Sequence, residues 1–155
     1  MGVAAHPPFI SMPVGALDRK GRVCIPAPYR QILAAQNTNG VYVCPSFYEP
    51  ALECFGENVL QEFHQSQAGD DPFFAESHDV KAFSVLAMTQ LLALDETGRV
   101  RLPDALIAHA GLAENVTFVG MGRKFEIWDT ERFAPVLNER IAAARALRKS
   151  PQAAT

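Results

Sequence analysis

Leu17-Asp18-Arg19-Lys20-Gly21-Arg22-Val23-Cys24-Ile25-Pro26 returns later in the chain as Leu94-Asp95-Glu96-Thr97-Gly98-Arg99-Val100-Arg101-Leu102-Pro103. Both stretches keep the Asp-x-x-Gly-Arg core, the apolar residues around it and the closing proline at the same spacing. Outward from this core, each copy offers a short apolar helix candidate and a β-rich run, Val41-Tyr42-Val43 or Val116-Thr117-Phe118-Val119. A Glu-centred strand follows in each, Leu52-Glu53-Cys54-Phe55 or Phe125-Glu126-Ile127-Trp128. Two copies of one supersecondary unit within 155 residues imply half-domains that each lack a complete core and pack against one another. The expected class is α+β, and the repeated turn is the place to look for function.

Asp-x-x-Gly-Arg between two strands predicts a three-residue hairpin loop, a type I turn closed by a left-handed glycine that forms a bulge. Asp18 and Asp95 would accept hydrogen bonds from the amides just beyond them, and Gly21 and Gly98 would supply the positive φ. Arg22 and Arg99 then open the outgoing strands in a direction set by the turn. Strand alternation puts Arg99 and Arg101 on one face and Val100 and Leu102 on the other, toward the core. The same logic exposes Arg22, buries Val23 and Ile25, and leaves Arg19 and Lys20 at the loop tip. A β-ribbon crowded with guanidinium groups suits duplex DNA, because a two-stranded ribbon enters the major groove and arginine binds guanine O6 and N7 bidentately. The competing role for Arg22 and Arg99 is structural, as partners of Asp18 and Asp95 or of Glu53 and Glu126.

The remaining chain reads as follows. Residues 1 to 8, with Pro7-Pro8, are expected to fray, and order begins at Phe9-Ile10. Val14 to Leu17 and Arg22 to Ile25 are the strands around the first turn, and Pro26-Ala27-Pro28 starts a helix with Tyr29, Ile32 and Leu33 inward. The second copy's helix runs from Asp104 to Ala110, with Leu106, Ile107 and Ala110 inward and Gly111 as its stop. Between the copies lies an acidic helical connector, with Val59, Leu60 and Phe63 at helical spacing, broken by Asp70-Asp71-Pro72. A closing helix capped by Asp129 or Thr130 runs toward Arg148, and 150–155 are expected to be disordered. The divisions are 9–55, 56–87, 88–128 and 129–149.

Composition narrows the classes. The chain is 48% apolar with a formal charge of −3, ordinary for a globular protein. No run of about 18 apolar residues or signal pattern is present, so a cytoplasmic protein is expected. The charge is segregated: between Glu49 and Lys81 acids outnumber the single base Lys81, whereas Arg19, Lys20, Arg22 and Arg30 surround the first turn with Asp18 alone opposing them. Arg140, Arg145, Arg148 and Lys149 add a basic end. Such separation lets an acidic protein still offer a positive face to a polyanion. Cys24, Cys44 and Cys54 sit in predicted strands without zinc-site spacing and are expected to be buried free thiols. The scattered His6, His64, His78 and His109 propose no metal site. No phosphate loop, nucleophile elbow or His-partnered nucleophile is present, and Cys24 has no base beside it, so no enzyme and no cofactor are expected.

Tandem Asp-x-x-x-Arg hairpins, each followed by a proline and a short helix, resemble the swapped-hairpin barrels of the SpoVT-AbrB superfamily. More closely, the chain resembles the MraZ family of bacterial transcriptional regulators. The residues that carry this are Phe9, nine before Asp18, the two quoted stretches, and Lys124-Phe125-Glu126-Ile127-Trp128-Asp129. The resemblance implies two repeats interlocked as a pseudo-twofold swapped-hairpin β-barrel with flanking helices. It also implies several chains closed into a ring, and binding of double-stranded DNA at short direct repeats upstream of the division and cell wall gene cluster, mostly as a repressor. The implied partners are DNA and further copies of the chain, with no membrane and no small-molecule substrate, at the nucleoid. The implied DNA contacts are Lys20 and Arg22 in the first copy and Arg99 and Arg101 in the second; Arg19, which is not family-matched, is expected to contact a phosphate. Because Glu96 stands at the second tip, the first copy is expected to bind more strongly, or the second to build subunit contacts. An AbrB-like antitoxin or transition-state regulator and a ring without DNA binding are the alternatives.

Overall fold

The computed structural model describes residues 7–149, and the expectations for 1–6 and 150–155 lie outside the described residues. In the first copy β1 (Val14–Ala16) enters the turn, β2 (Arg22–Cys24) leaves it, and α1 (Ala27–Ala35) follows with proline in its first turn. Proline fits there because first-turn amides have no acceptor within the helix. β3 (Val41–Pro45) and β4 (Leu52–Phe55) complete the copy. The connector folds as α2 (Glu57–Ser66) and α3 (Glu76–Ala82), which runs on into a π-helical turn, Phe83–Ala87. The Thr38 hydroxyl accepts from the Glu57 amide at 2.8 Å and the Gln36 side chain from Asn58 at 3.2 Å. These side chains satisfy amides that the first turn of α2 leaves open. The second copy supplies β5 (Gln90–Leu92), β6 (Arg99–Arg101), α4 (Asp104–Ala110), β7 (Asn115–Gly120) and β8 (Phe125–Asp129), and α5 (Thr130–Lys149) closes the chain.

The expected hairpins keep their turns but not their ladders. After single bridges at Leu17 with Val23 and Leu94 with Val100, the two arms part and pair with the other copy. β1 joins β7, β5 joins β3, and the larger sheet runs β1-β7-β8-β4-β3-β5. β2 and β6 form a separate antiparallel ribbon centred on Val23 opposite Val100. The strand order reads the same from either end once the copies are exchanged. A three-residue arm gains more from the longer β7 or β3 of the other copy than from its equally short partner, since unpaired backbone groups next to a core are costly.

One core therefore draws on both copies: Val23, Ile25, Tyr29, Leu33, Val41 and Val43 from the first meet Val100, Leu102, Leu106, Phe118, Phe125 and Ile127 from the second. Phe9 is pinned by paired backbone bonds to Gly122 and by ring contacts to Tyr29 and Phe125, with centroids 5.2 and 4.9 Å apart. The Tyr29 hydroxyl, pushed up to about 12 by burial, donates to the Ile10 carbonyl at 2.8 Å. Across the middle of the sheet Glu53 lies opposite Glu126, a like-charge placement that costs stability unless countered. Lys124 pairs with Glu53, and Arg140 of α5 holds Glu126 at 2.7 Å. Among the described residues no helix is long and apolar enough to cross a membrane.

The cysteines correct one expectation. Cys44 and Cys54 are buried, but Cys24 is exposed, because the twofold strand period puts it on the face of Arg22 rather than that of Val23. Burial pushes the Cys44 thiol up to about 11 and the Cys54 thiol well above its ordinary value, so neither offers the reactive thiolate near neutral pH. Reaction with a thiol reagent is expected to consume one equivalent quickly in the native chain and three after denaturation. More than one fast native equivalent would show that the core opens.

Candidate nucleic-acid interface

Each turn is organised by its aspartate. Asp18 Oδ1 accepts from the amides of Lys20 at 2.9 Å and Arg22 at 2.8 Å, while the Gly21 amide donates to the Asp18 carbonyl at 3.1 Å. Asp95 Oδ1 repeats this with Thr97 and Arg99, both at 2.9 Å, and also takes the Thr97 hydroxyl at 2.8 Å. Gly21 and Gly98 stand at φ +77° and +84°, where a β-branched side chain is a true outlier. Valine at either glycine is expected to disrupt its turn, more severely at Gly98. There a Cβ would run into the Arg30 guanidinium, whereas at Gly21 it would meet Ile107 Cδ1 at 3.2 Å and the Leu102 carbonyl oxygen at 3.5 Å. Amide hydrogen exchange in the two turns reads the difference, and equal protection in wild type and both variants would refute the turn geometry.

The second oxygen of each aspartate binds the arginine that opens the outgoing strand: Arg22 Nε lies 2.8 Å from Asp18 Oδ2, and Arg99 Nε 2.9 Å from Asp95 Oδ2. The carboxyls are consequently held below their usual range. For Asp18 the Arg22 backbone bond is the main cause, and for Asp95 the Arg99 backbone bond followed by the Thr97 hydroxyl. A depressed carboxyl stabilises the fold above its unfolded-state value, near 3.8, and that contribution disappears as pH falls below it. On acidification from pH 5 to pH 2 the melting temperature of wild type is expected to drop further than that of an Asp18→Asn, Asp95→Asn chain. Parallel drops would mean the turns do not titrate.

The ribbon sets the face. Arg22 lies directly opposite Arg101, and Cys24 opposite Arg99, so all four point away from the core that Val23 and Val100 enter at 0% and 1% exposure. Ile25 donates to the Gly98 carbonyl at 2.9 Å and Leu102 to the Gly21 carbonyl at 2.8 Å, tying each strand to the other copy's turn. The structure thus brings Arg22, Arg99 and Arg101 together and leaves Arg19 and Lys20 exposed on the first tip. Arg22 and Arg99 do pair with their own aspartates, one of the two structural roles considered, but through Nε only. Their side chains stay 26% and 37% exposed. They do not pair with Glu53 and Glu126, which Lys124 and Arg140 occupy. Arg101, Arg19 and Lys20 have no carboxylate within 4.0 Å among the described residues.

Arg30 joins this surface unannounced. Its Nη1 donates to the Thr97 carbonyl at 3.0 Å, which lays a guanidinium from the first copy's helix over the second copy's turn. Its only sequence signal is membership of the basic group around the first turn. Among the described residues no cluster of His, Cys, Asp and Glu could hold a metal.

A family model described as "MraZ protein, putative antitoxin-like" matches residues 85–150, the second copy and closing helix. The chain is 42% identical to the transcriptional regulator MraZ of Azorhizobium caulinodans, covering 92% of this chain and 90% of that protein. It is 38% identical to the protein of the same name from Methylocella silvestris, over 91% of this chain and 85% of that one. With the Rickettsia canadensis protein of that name it shares 36% identity, over 84% and 87%. Identity at this level over 84–92% of the chain shows that it belongs to the MraZ family of transcriptional regulators.

Proposed function

We propose that the chain is a sequence-specific DNA-binding regulator that presents the arginine face of the β2–β6 ribbon to the major groove. One observation carries the reading: Arg22, Arg99 and Arg101 share the exposed face of a two-stranded ribbon whose other face is core. A ribbon of this kind fits the major groove, and arginines held by fixed turns lose little freedom on binding. In this reading Lys20, Arg22, Arg99 and Arg101 face the bases, Arg19 a phosphate, and Asp18, Gly21, Asp95 and Gly98 hold the turns. The targets are short direct repeats upstream of the division and cell wall gene cluster, and the outcome is repression. The relatives named as transcriptional regulators support the regulatory part.

The same reading takes the fold as a pseudo-twofold swapped-hairpin β-barrel, divided at 9–55, 56–87, 88–128 and 129–149, and the exchange of β1 and β5 between copies supports it. Several chains closed into a ring would engage successive repeats at high effective concentration. The protein works at the nucleoid in the cytoplasm, without cofactor or catalysis. A second reading draws on the Asp18–Arg22 and Asp95–Arg99 pairs: these arginines stiffen the turns, and DNA contact falls to Arg101, Arg19 and Lys20.

Titration of the protein against a duplex from its own upstream region, at rising salt, tests the proposal. Log affinity should fall linearly with log salt, and salt-independent or absent binding would reject it. Arg22→Ala separates the two readings, with a loss of about 1–3 kcal/mol expected for base contact and none for a turn-stiffening role.

A further inference from the structure

We infer that Arg30, on the helix of the first copy, supplies the second turn with a cation that contacts a backbone phosphate beside the arginine ribbon. The inference rests on the DNA reading above and adds a contact that the turn motif does not contain. Where the first tip carries Arg19 and Lys20, the second carries Glu96 and Thr97, so its own loop offers a phosphate no positive charge. Arg30 supplies one from across the interface between copies: Nη1 donates to the Thr97 carbonyl at 3.0 Å, and the guanidinium fills the space that a Cβ on Gly98 would need.

The corresponding position in the second copy shows that packing does not require this arginine. Counting from the helix-opening prolines Pro26 and Pro103, Arg30 matches Ile107, and Ile107 backs Gly21 of the first turn as Arg30 backs Gly98. An isoleucine packs against the glycine of the turn that has its own bases, and an arginine against the glycine of the turn that lacks them. Arg30 has no carboxylate within 4.0 Å among the described residues, so its charge is not spent within the fold. With one N–H on Thr97, the planar fork keeps donors for a phosphate oxygen, a geometry in which arginine excels. Each tip thereby offers a phosphate a cationic group, the second one beside Glu96.

The test compares full-length wild type, Arg30→Met and Arg30→Lys on the same upstream duplex across a salt series, with melting temperatures recorded in parallel. Arg30→Met should bind roughly fivefold more weakly near physiological salt, with a log–log slope shallower by about one. Arg30→Lys should keep the slope, and both should melt close to wild type. A wild-type slope in Arg30→Met overturns the inference. So does an equal loss of slope in Arg30→Lys, which would make Arg30 a clip for the turn. Should Arg30→Met fail to fold, Arg30→Gln keeps an N–H donor for the Thr97 carbonyl and removes the charge; a slope shallower by about one there supports the inference and an unchanged slope overturns it. Failure of the underlying DNA reading is seen separately, as wild type without salt-dependent binding.

Discussion

A chain carrying Arg22→Ala and Arg101→Ala together is expected to lose about 2 kcal/mol or more of specific DNA binding, beyond the about 1–3 kcal/mol of a single base contact, though adjacent sites need not add. The two residues face each other in the β2–β6 register, so the double variant empties the middle of the proposed reading face. The fold should lose little, because the Asp18–Arg22 pair it breaks is partly exposed. Like charges placed directly opposite repel, and Val23 and Val100 beneath them remain untouched in the core. The single variants should differ in character. Arg22 is held through Nε by Asp18 at 2.8 Å, so part of its charge is countered and its loss should fall mainly on base discrimination. Arg101, without a carboxylate within 4.0 Å among the described residues, should contribute more to the salt slope. Fluorescence anisotropy against cognate and scrambled duplexes, with a thermal melt of each variant, measures both properties. A double variant that binds cognate duplex within a factor of ten of wild type would remove the ribbon from the interface.

Trp128→Ala is expected to cost about 3–5 kcal/mol of folding stability, a large share of the roughly 5–15 kcal/mol that holds an ordinary domain together. Trp128 is fully buried with Ala51, Val119 and Phe133 in a cluster separate from the main core, and Val136 and Leu137 of α5 pack against it. Its indole N–H donates to Glu126 Oε1 at 2.9 Å, and the Arg140 guanidinium stands 5.4 Å over its ring. Truncation therefore opens a cavity and also loosens the contacts that hold Glu126, which faces Glu53 across the β4–β8 pair. Trp128→Phe keeps most of the volume and loses the donor, for a smaller cost of about 1–3 kcal/mol. Urea denaturation resolves the two, and an alanine variant within about 1 kcal/mol of wild type would show that α5 is not clamped on this cluster. Because the cluster and the arginine ribbon share no residue, the variant that remains folded should still bind DNA.

Much of the site was legible because turn chemistry is local. An aspartate, a left-handed glycine and an arginine at fixed offsets specify the loop, its hydrogen bonds and the direction of the outgoing strand, and β period then sorts Arg99 and Arg101 from Val100 and Leu102. The same period places Cys24 beside Arg22, so its exposure was contained in the pattern that the expectation of buried thiols overrode. The helix limits at Pro26, Asp104 and Gly111 were local as well, each set by a residue's own backbone preference.

By itself, then, the sequence determined a doubled turn-strand-helix unit, the inward and outward faces of its strands, and membership in a family whose residues recur along nearly the whole chain. Only the tertiary structure decided which strands meet: β1 leaves its own hairpin for β7, Arg22 faces Arg101, Glu53 faces Glu126, and Arg30 reaches Thr97 across 67 residues. The reason is physical. Backbone preferences act over a few neighbouring residues and can be read in order along the chain. Pairing between distant arms is settled by which arrangement buries both apolar faces in one core while satisfying every strand's amides, and no spacing in the chain encodes that comparison.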